Sequence, residues 1–202
     1  MCIRDRYRRG YYDDGRPLGS EACGECRIDA IAQAFAALDT HADPGRVHTA
    51  LTSAVEHLFD REHNVVRLFD PPITRRTPET GYVRSYGAGL RENGGQYTHG
   101  ALWLAMALLR TGRTAEGAEI LHAVLPAAHD PARYEGEPYV LAADIAGGDN
   151  AGVAGWTWYT GAAGWYLRIA AEDLLGLHLR GGVLYPLSLI HISEPTRPLY
   201  IS

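Results

Sequence analysis

The chain has 202 residues, 46% of them hydrophobic and 21% charged, the balance of a soluble globular protein and not of a disordered one. A net charge of −5 argues against a surface that coats nucleic acid. No apolar run approaches the roughly 20 residues of a membrane span, and three Cys are too few for a disulfide scaffold.

Taken in chain order, Tyr7–Ser20 (YRRGYYDDGRPLGS) reads as a loop or short hairpin, punctuated by Asp14-Gly15 and Arg16-Pro17. Arg27–Leu38 carries apolar residues at Ile28, Ile31, Ala32, Phe35 and Leu38, a helical period. Asp43-Pro44 combines a capping side chain with Pro at the first helical position. It opens a helix predicted over Pro44–Asp60, with Val47, Leu51, Val55 and Leu58 on one face. A loop rich in Pro, Thr and Gly follows over Asp70–Gly95. Gln96–Arg110 is apolar nearly all round and predicts a buried helix. Thr114 starts another that ends near His122–Leu125. Tyr139–Ala142 reads as extended, and Ala151–Gly155 as a glycine-rich loop. A last helix is predicted over Gly161–Leu175, closed by Gly176, with a short strand in Gly181–Pro186. Helix pairs joined by long connections can stack into a bundle, a solenoid or a closed ring. Connections of that length are usually where function sits.

The two ends differ in style from the rest. One codon choice for Met1–Arg6 (MCIRDR) is ATG TGT ATA AGA GAC AG. Its reverse complement, CTG TCT CTT ATA CAC AT, encodes Leu-Ser-Leu-Ile-His-Ile, which is Leu187–Ile192. Residues 1–6 and 187–202 are therefore read as a sequencing adapter translated at both ends. Residues 7–186 are left as the authentic segment, expected to be a fragment of a larger domain. All 19 basic residues are arginine, which fits a GC-rich coding sequence.

Several clusters could carry chemistry. Cys23 and Cys26 form a C-x-x-C pair, but no second ligand pair follows at zinc spacing and the context is not that of a redox motif, so no metal is expected. Asp13, Asp14, Glu21 and Glu25 could supply acid/base carboxylates or could be solvated loop charges. Arg91–His99 (RENGGQYTH) places directional polar side chains around two glycines just before the buried helix, with His99 in its first turn. A helix N-terminus offers free N–H groups to an anion; equally, Thr98 could cap the helix and His99 could be a core histidine. Trp156–Gly161 (WTWYTG) repeats the arrangement before the last helix. Its aromatics could stack on a sugar or plug a seam between helices. The skewed aromatic content, 12 Tyr and 4 Trp against 3 Phe, leaves the same choice open.

Three strings decide between these readings. GYVRSYGAGLRENGGQYTHGALW, EPYVLAADIAGG and GWTWYTGAAGWYLRIAAEDLLGLHLRGG occur in order, behind YRRGYYDDGRPLGS and ECRIDAIAQAFAAL. Together they resemble the inverting phosphorylases of glycoside hydrolase family 94 over nearly all of residues 7–186. That family includes cellobiose and chitobiose phosphorylases, 1,2-β-oligoglucan phosphorylases and the C-terminal domain of cyclic β-1,2-glucan synthases. The EPYV string followed by Ala142-Ala143-Asp144, with GWTWYTG, looks most like the glucan synthase branch; disaccharide phosphorylases tend to carry Gln where Ala143 stands.

The resemblance implies an all-α fold with long loops and minor β, the C-terminal portion of an (α/α)6 barrel of six-hairpin glycosidase type. It implies single displacement, in which phosphate attacks the anomeric carbon of a β-glucoside with inversion to give α-glucose 1-phosphate. His99, Thr160 and Gly161 match phosphate-binding positions. Glu92 matches a sugar-binding Glu, and Gln33 a recurrent Gln. Tyr97, Tyr139 and Trp158 are expected as site-wall aromatics from their chemistry and position. The family's general-acid Asp belongs to a motif upstream of the YRR segment, so this segment is expected to be inactive alone. Phosphate is a co-substrate and no other cofactor is implied. The expected partners are phosphate and a β-linked glucooligosaccharide, with no nucleic acid, no membrane contact by this segment, and a homodimer allowed for the full-length enzyme. The implied location is the bacterial cytoplasm, or the membrane if the segment is part of a glucan synthase. A non-catalytic carbohydrate-binding helical module is the alternative of another class.

Overall fold

Short backbone ladders and aspartate caps set where the helices begin. A computed structural model describes residues 5–74 and 80–186, with the backbone of Leu199–Tyr200. Strands β1 (Gly10–Tyr11) and β2 (Pro17–Leu18) form a hairpin whose turn holds Asp14-Gly15. β3 (Ile28–Asp29) leads into α1 (Ala30–Leu38), and α2 (Pro44–Leu58) runs into β4 (Phe59–Asp60), which pairs with β5 (Val65–Val66). β6 (Phe69–Asp70) returns to pair with β3. β7 (Gln96–Tyr97) leads into α3 (Thr98–Arg110), followed by α4 (Thr114–Ala123), α5 (Pro131–Tyr134), β8 (Asp144–Ile145) and α6 (Thr160–Ile169). A turn of π-helix (Ala170–Leu174) ends α6, and Gly176 follows with φ +67°. β9 (Leu177–Arg180) and β10 (Val183–Pro186) make a hairpin, to which β11 (Leu199–Tyr200) adds.

α1, α2 and α5 each start behind an aspartate. Asp29 accepts the Ala32 N–H at 2.9 Å, Asp43 that of Arg46 at 2.8 Å and Asp130 that of Ala132 at 3.1 Å. Each bond satisfies a donor that the first helical turn leaves open. Three helix ends differ from the sequence expectation. Ile28–Asp29, Phe59–Asp60 and Gln96–Tyr97 are strand, so the helices span 30–38, 44–58 and 98–110. Their partners (69–70, 65–66 and 144–145) are contributed by other parts of the chain, and a helical apolar period cannot register such pairing. Tyr139–Ala142 lies outside any strand, and the ladder forms two residues later, at β8.

α3 is the hub. It packs against α1, α4 and α6, and α1 packs against α2. The main core joins Leu51, Val55 and Leu58 of α2 to Leu102, Leu104 and Leu108 of α3, Ile120 and Leu121 of α4, and Ala162 and Ile169 of α6. As its composition predicts, α3 is buried along most of its length, with Arg110 exposed. α6 buries much less, and Leu167, Leu175 and Leu179 stand in solvent at its outer face and beyond. The architecture is helical with minor strands, and among the described residues no helix is long and apolar enough to cross a membrane. Most of the two adapter-like ends lies outside the described residues; Arg6 is described, buried, and donates to the Arg27 carbonyl at 3.3 Å.

Candidate functional site

The starts of α3 and α6 are held side by side by one strip of backbone. Tyr97 pairs with Asp144 and Gln96 with Ile145. Thr98 donates its N–H to Ala143 O at 3.0 Å, Ala143 donates to Trp156 O at 2.7 Å, and Gly155 donates to Asp144 O at 2.8 Å. Residues 143–145 thus lie between the segment entering α3 and the segment entering α6. The consequence is a contact: a β-carbon built on Gly161 would stand 2.9 Å from His99 Nε2 and 3.2 Å from its Cε1. The imidazole therefore rests on the bare backbone of α6, and any larger residue at 161 would have to push it aside. Neither helix start carries a side-chain cap, so the positive ends of two helix dipoles meet at one histidine.

His99 stacks on Tyr97, with ring centroids 5.2 Å apart and planes 24° from parallel. It tilts against Trp103 at 5.8 Å. Trp103 in turn meets Phe35 of α1 at 5.3 Å and Trp165 of α6 at 5.9 Å, both edge-on. Burial holds the His99 pKa below its ordinary value of 6.5, so the ring is neutral near pH 7 with one N–H to donate. Its Nδ1 is buried and has no hydrogen-bond partner. Burial, and then the charge of Glu92, push the Tyr97 hydroxyl above its ordinary pKa of 10.0, which places that carboxylate within electrostatic reach of the same aromatic wall.

Asp144 is the fastener of the α6 entry loop. Its carboxylate accepts the Trp156 N–H at 3.0 Å. A β-carbon on Gly155 would lie 2.0–2.6 Å from all three carboxylate atoms, so any larger residue here would have to displace the Asp144 carboxylate. Three residues after Gly155, Trp158 adopts φ +65°, an uncommon conformation for a bulky residue, just before Thr160. Thr160 and Gly161 are themselves exposed.

The structure brings His99, Tyr97, Gly161 and, one residue along, Thr160 to one place, with Glu92 near them. Other expected residues have partners of their own. Gln33 is fully buried. Its Oε1 accepts Tyr7 N–H at 2.6 Å, and its Nε2 donates to the carbonyls of Tyr7 at 3.0 Å and Asp29 at 2.9 Å. Its amide is engaged with backbone. Tyr139 and Trp158 form an exposed pair, edge-on at 6.2 Å, with the Trp158 indole donating to Glu137 at 2.8 Å.

Within RENGGQYTH the polar residues divide in the same way. Asn93 is buried, accepting from Ile73 N–H and donating to the carbonyls of Ile73 and Tyr86. Gln96 is buried and accepts Val66 N–H at 2.8 Å. A β-carbon on Gly94 would meet Pro72 at 2.9 Å, and one on Gly95 the Arg91 and Gly89 carbonyls at 2.8 Å. Packing therefore suffices to explain these glycines.

Cys23 donates to Pro17 O at 3.1 Å, while Cys26 sits in a small core with Leu68, Phe69 and Ile73, where burial pushes its thiol up to about 12. Glu25 accepts from the Thr74 N–H and hydroxyl at 2.8 and 2.6 Å, and Asp14 folds back on Arg16. Among the described residues no group of three or more metal-capable side chains converges. The amino-acid order gives Trp103 and Asp144 no role of their own and marks Arg91 only as the first residue of RENGGQYTH. Their roles lie in tertiary contacts, and only the spacing of Trp103 four residues after His99 on one helix face hinted at one.

Residues 4–176 match the family described as "Glycosyl hydrolase 94 superfamily, catalytic domain". The chain is 46% identical over 186 residues to the cyclic beta-(1,2)-glucan synthase NdvB of Rhizobium meliloti (strain 1021), which covers 89% of this chain and 7% of that protein. It is 30% identical over 178 residues to the solabiose phosphorylase of Paenibacillus borealis, covering 86% of this chain and 23% of that protein. With the N,N'-diacetylchitobiose phosphorylase of Vibrio proteolyticus it shares 26% identity over 175 residues, 85% of this chain and 22% of that protein. The chain thus spans less than a quarter of the length of these relatives.

Proposed function

Since the chain belongs to the glycosyl hydrolase 94 superfamily through its catalytic domain, we propose that residues 7–186 supply the phosphate-binding wall of an inverting glycoside phosphorylase. Phosphate attacks the anomeric carbon of a β-linked glucooligosaccharide, the glycosidic oxygen leaves with a proton, and α-glucose 1-phosphate is released. An inverting hydrolase needs a second carboxylate to activate water. Phosphate is already an anionic nucleophile, and the site must hold it instead. The observation that carries this reading is the meeting of two helix starts, neither with a side-chain cap, at His99 and Gly161. Backbone N–H groups, a Thr160 hydroxyl and a neutral histidine N–H are donors suited to a phosphate oxygen.

Glu92 is assigned to a sugar hydroxyl beside Tyr97, with Tyr139 and Trp158 as an outer aromatic pair. The proton donor is assigned to an Asp outside this segment. The whole domain is read as an (α/α)6 barrel, with neighbouring hairpins covering the leucines left exposed at α6. The 46% identity to a cyclic glucan synthase favours a second reading within the same family: this is the phosphorylase-type domain of such a synthase.

The complete gene product, incubated with β-1,2-glucooligosaccharide and phosphate, is expected to release α-glucose 1-phosphate. Sugar release indifferent to phosphate makes the protein a hydrolase and overturns the proposal; binding without turnover makes it a carbohydrate-binding module. The 202-residue chain by itself is expected to be inactive, and phosphorolysis by it refutes an external proton donor. A very long reading frame with membrane spans selects the synthase, and a moderate one a free-standing phosphorylase.

A further inference from the structure

Arg91 stands next to Glu92 in the loop that enters α3. Its backbone is left-handed, with φ +50°, a conformation that a long side chain adopts rarely and that tends to be kept where function needs it. Its guanidinium lies 3.8 Å from the centre of the Trp156 ring and 5.2 Å from that of Tyr86. Trp156 itself stacks on Tyr159, with centroids 5.5 Å apart and planes 25° from parallel. The cation is therefore gripped by rings from both loops, the one before α3 and the one before α6.

The charged end faces its neighbour. Arg91 Nε is 3.5 Å from Glu92 Oε2, and both side chains are about four-fifths buried, at 22% and 23% exposure. Nε and Nη1 of Arg91 and Oε2 of Glu92 are buried without hydrogen-bond partners. In extended backbone, adjacent side chains point to opposite faces; the left-handed turn at Arg91 lets these two meet. An exposed ion pair would contribute little, but here a flat, ring-held cation confronts a carboxylate largely out of water. Stability alone accounts poorly for donors and an acceptor that face each other unsatisfied.

We propose that Arg91 is a positioning residue of this site: clamped by Trp156 and Tyr86, its guanidinium aims the Glu92 carboxylate at the sugar. This rests on the phosphorylase reading above and on the assignment of Glu92 within it. Arg91 acts through Glu92 and touches neither phosphate nor the reacting bond.

The test is a double-mutant cycle in the complete enzyme, with Arg91→Gln, Glu92→Gln and the pair. Arg91→Gln is expected to raise the KM for the glucan about tenfold, while the double variant is no worse than Glu92→Gln within about twofold, because coupled residues do not add. The KM for phosphate is expected to stay unchanged in Arg91→Gln. Arg91→Lys keeps the charge but not the flat face, so only part of the loss returns. Should Arg91→Gln not fold, Trp156→Leu removes the clamp and is expected to raise the glucan KM in the same direction. Additive losses, or a phosphate KM that moves as far as the glucan KM, overturn the proposal while leaving the phosphorylase reading intact. Wild-type enzyme without phosphate-dependent turnover overturns both.

Discussion

His99 and Gly161, on different helices, touch so closely that a methyl group at 161 would have to displace the imidazole. A β-carbon at Gly161 would stand 2.9 Å from His99 Nε2, inside van der Waals contact. Gly161 is exposed and α6 has only Ala162 and Ile169 buried, so the contact serves little in the way of core packing. Gly161→Ala is expected to leave the melting temperature nearly unchanged and to raise the KM for phosphate at least about tenfold, as displacement of a positioned group commonly does. Kinetics with phosphate varied at saturating glucan check this. An unchanged phosphate KM removes the pair from the site.

The protonation of His99 gives a second handle. Burial depresses its pKa below 6.5, and His129 is depressed by burial as well. The unfolded chain takes up these protons near pH 6.5 and the folded chain only below it. The contribution of these groups to stability is therefore complete above pH 6.5 and is lost as pH falls through that window. Bound phosphate opposes the depression, since a nearby anion favours the imidazolium. Titration followed by NMR is expected to place His99 below 6.5 in the free protein and to move it up on saturation with phosphate. A His99 pKa indifferent to phosphate contradicts the assignment.

Asp144 and Gly155 form a lock whose parts can be exchanged. Gly155→Ala forces a β-carbon into the Asp144 carboxylate and is expected to destabilise by about 1–3 kcal/mol, the range for overpacking. Adding Asp144→Ala removes the clash, and the double variant is expected to regain part of that loss although the Trp156 N–H loses its acceptor. Denaturant melts of the two single variants and the double variant decide. A double variant less stable than both singles shows that the lock is not steric.

Gln33 separates structure from chemistry. Its three hydrogen bonds tie Tyr7 and Asp29 to α1. Gln33→Leu fills the space but strands the Tyr7 N–H and carbonyl, and is expected to lower stability by about 2 kcal/mol or more. Under conditions where the variant is folded, glucan KM is expected to change less than twofold, within the scatter of distant sites. A large KM change in a stable variant returns Gln33 to the sugar site.

Much of the helical frame was legible in the amino-acid order because it follows local rules. Asp43-Pro44 opens α2 through a side chain reaching its own first turn, the apolar run 98–109 is buried, and Asp14-Gly15 turns the first hairpin. The strings RENGGQYTH and WTWYTG also run into the two helix starts that meet at His99 and Gly161. Chain order alone could not assign work among neighbours. Asn93 and Gln96 look as polar and available as Glu92, yet they close backbone gaps at residues 66, 73 and 86. Likewise the Gln33 amide bonds to the backbone of Tyr7 and Asp29. The tertiary structure decided that His99 lies on Gly161, that Asp144 pins the loop before α6, and that Arg91 is gripped by Trp156. Each is a contact between distant parts of the chain, and its energy depends on where the backbone passes, which no local period encodes.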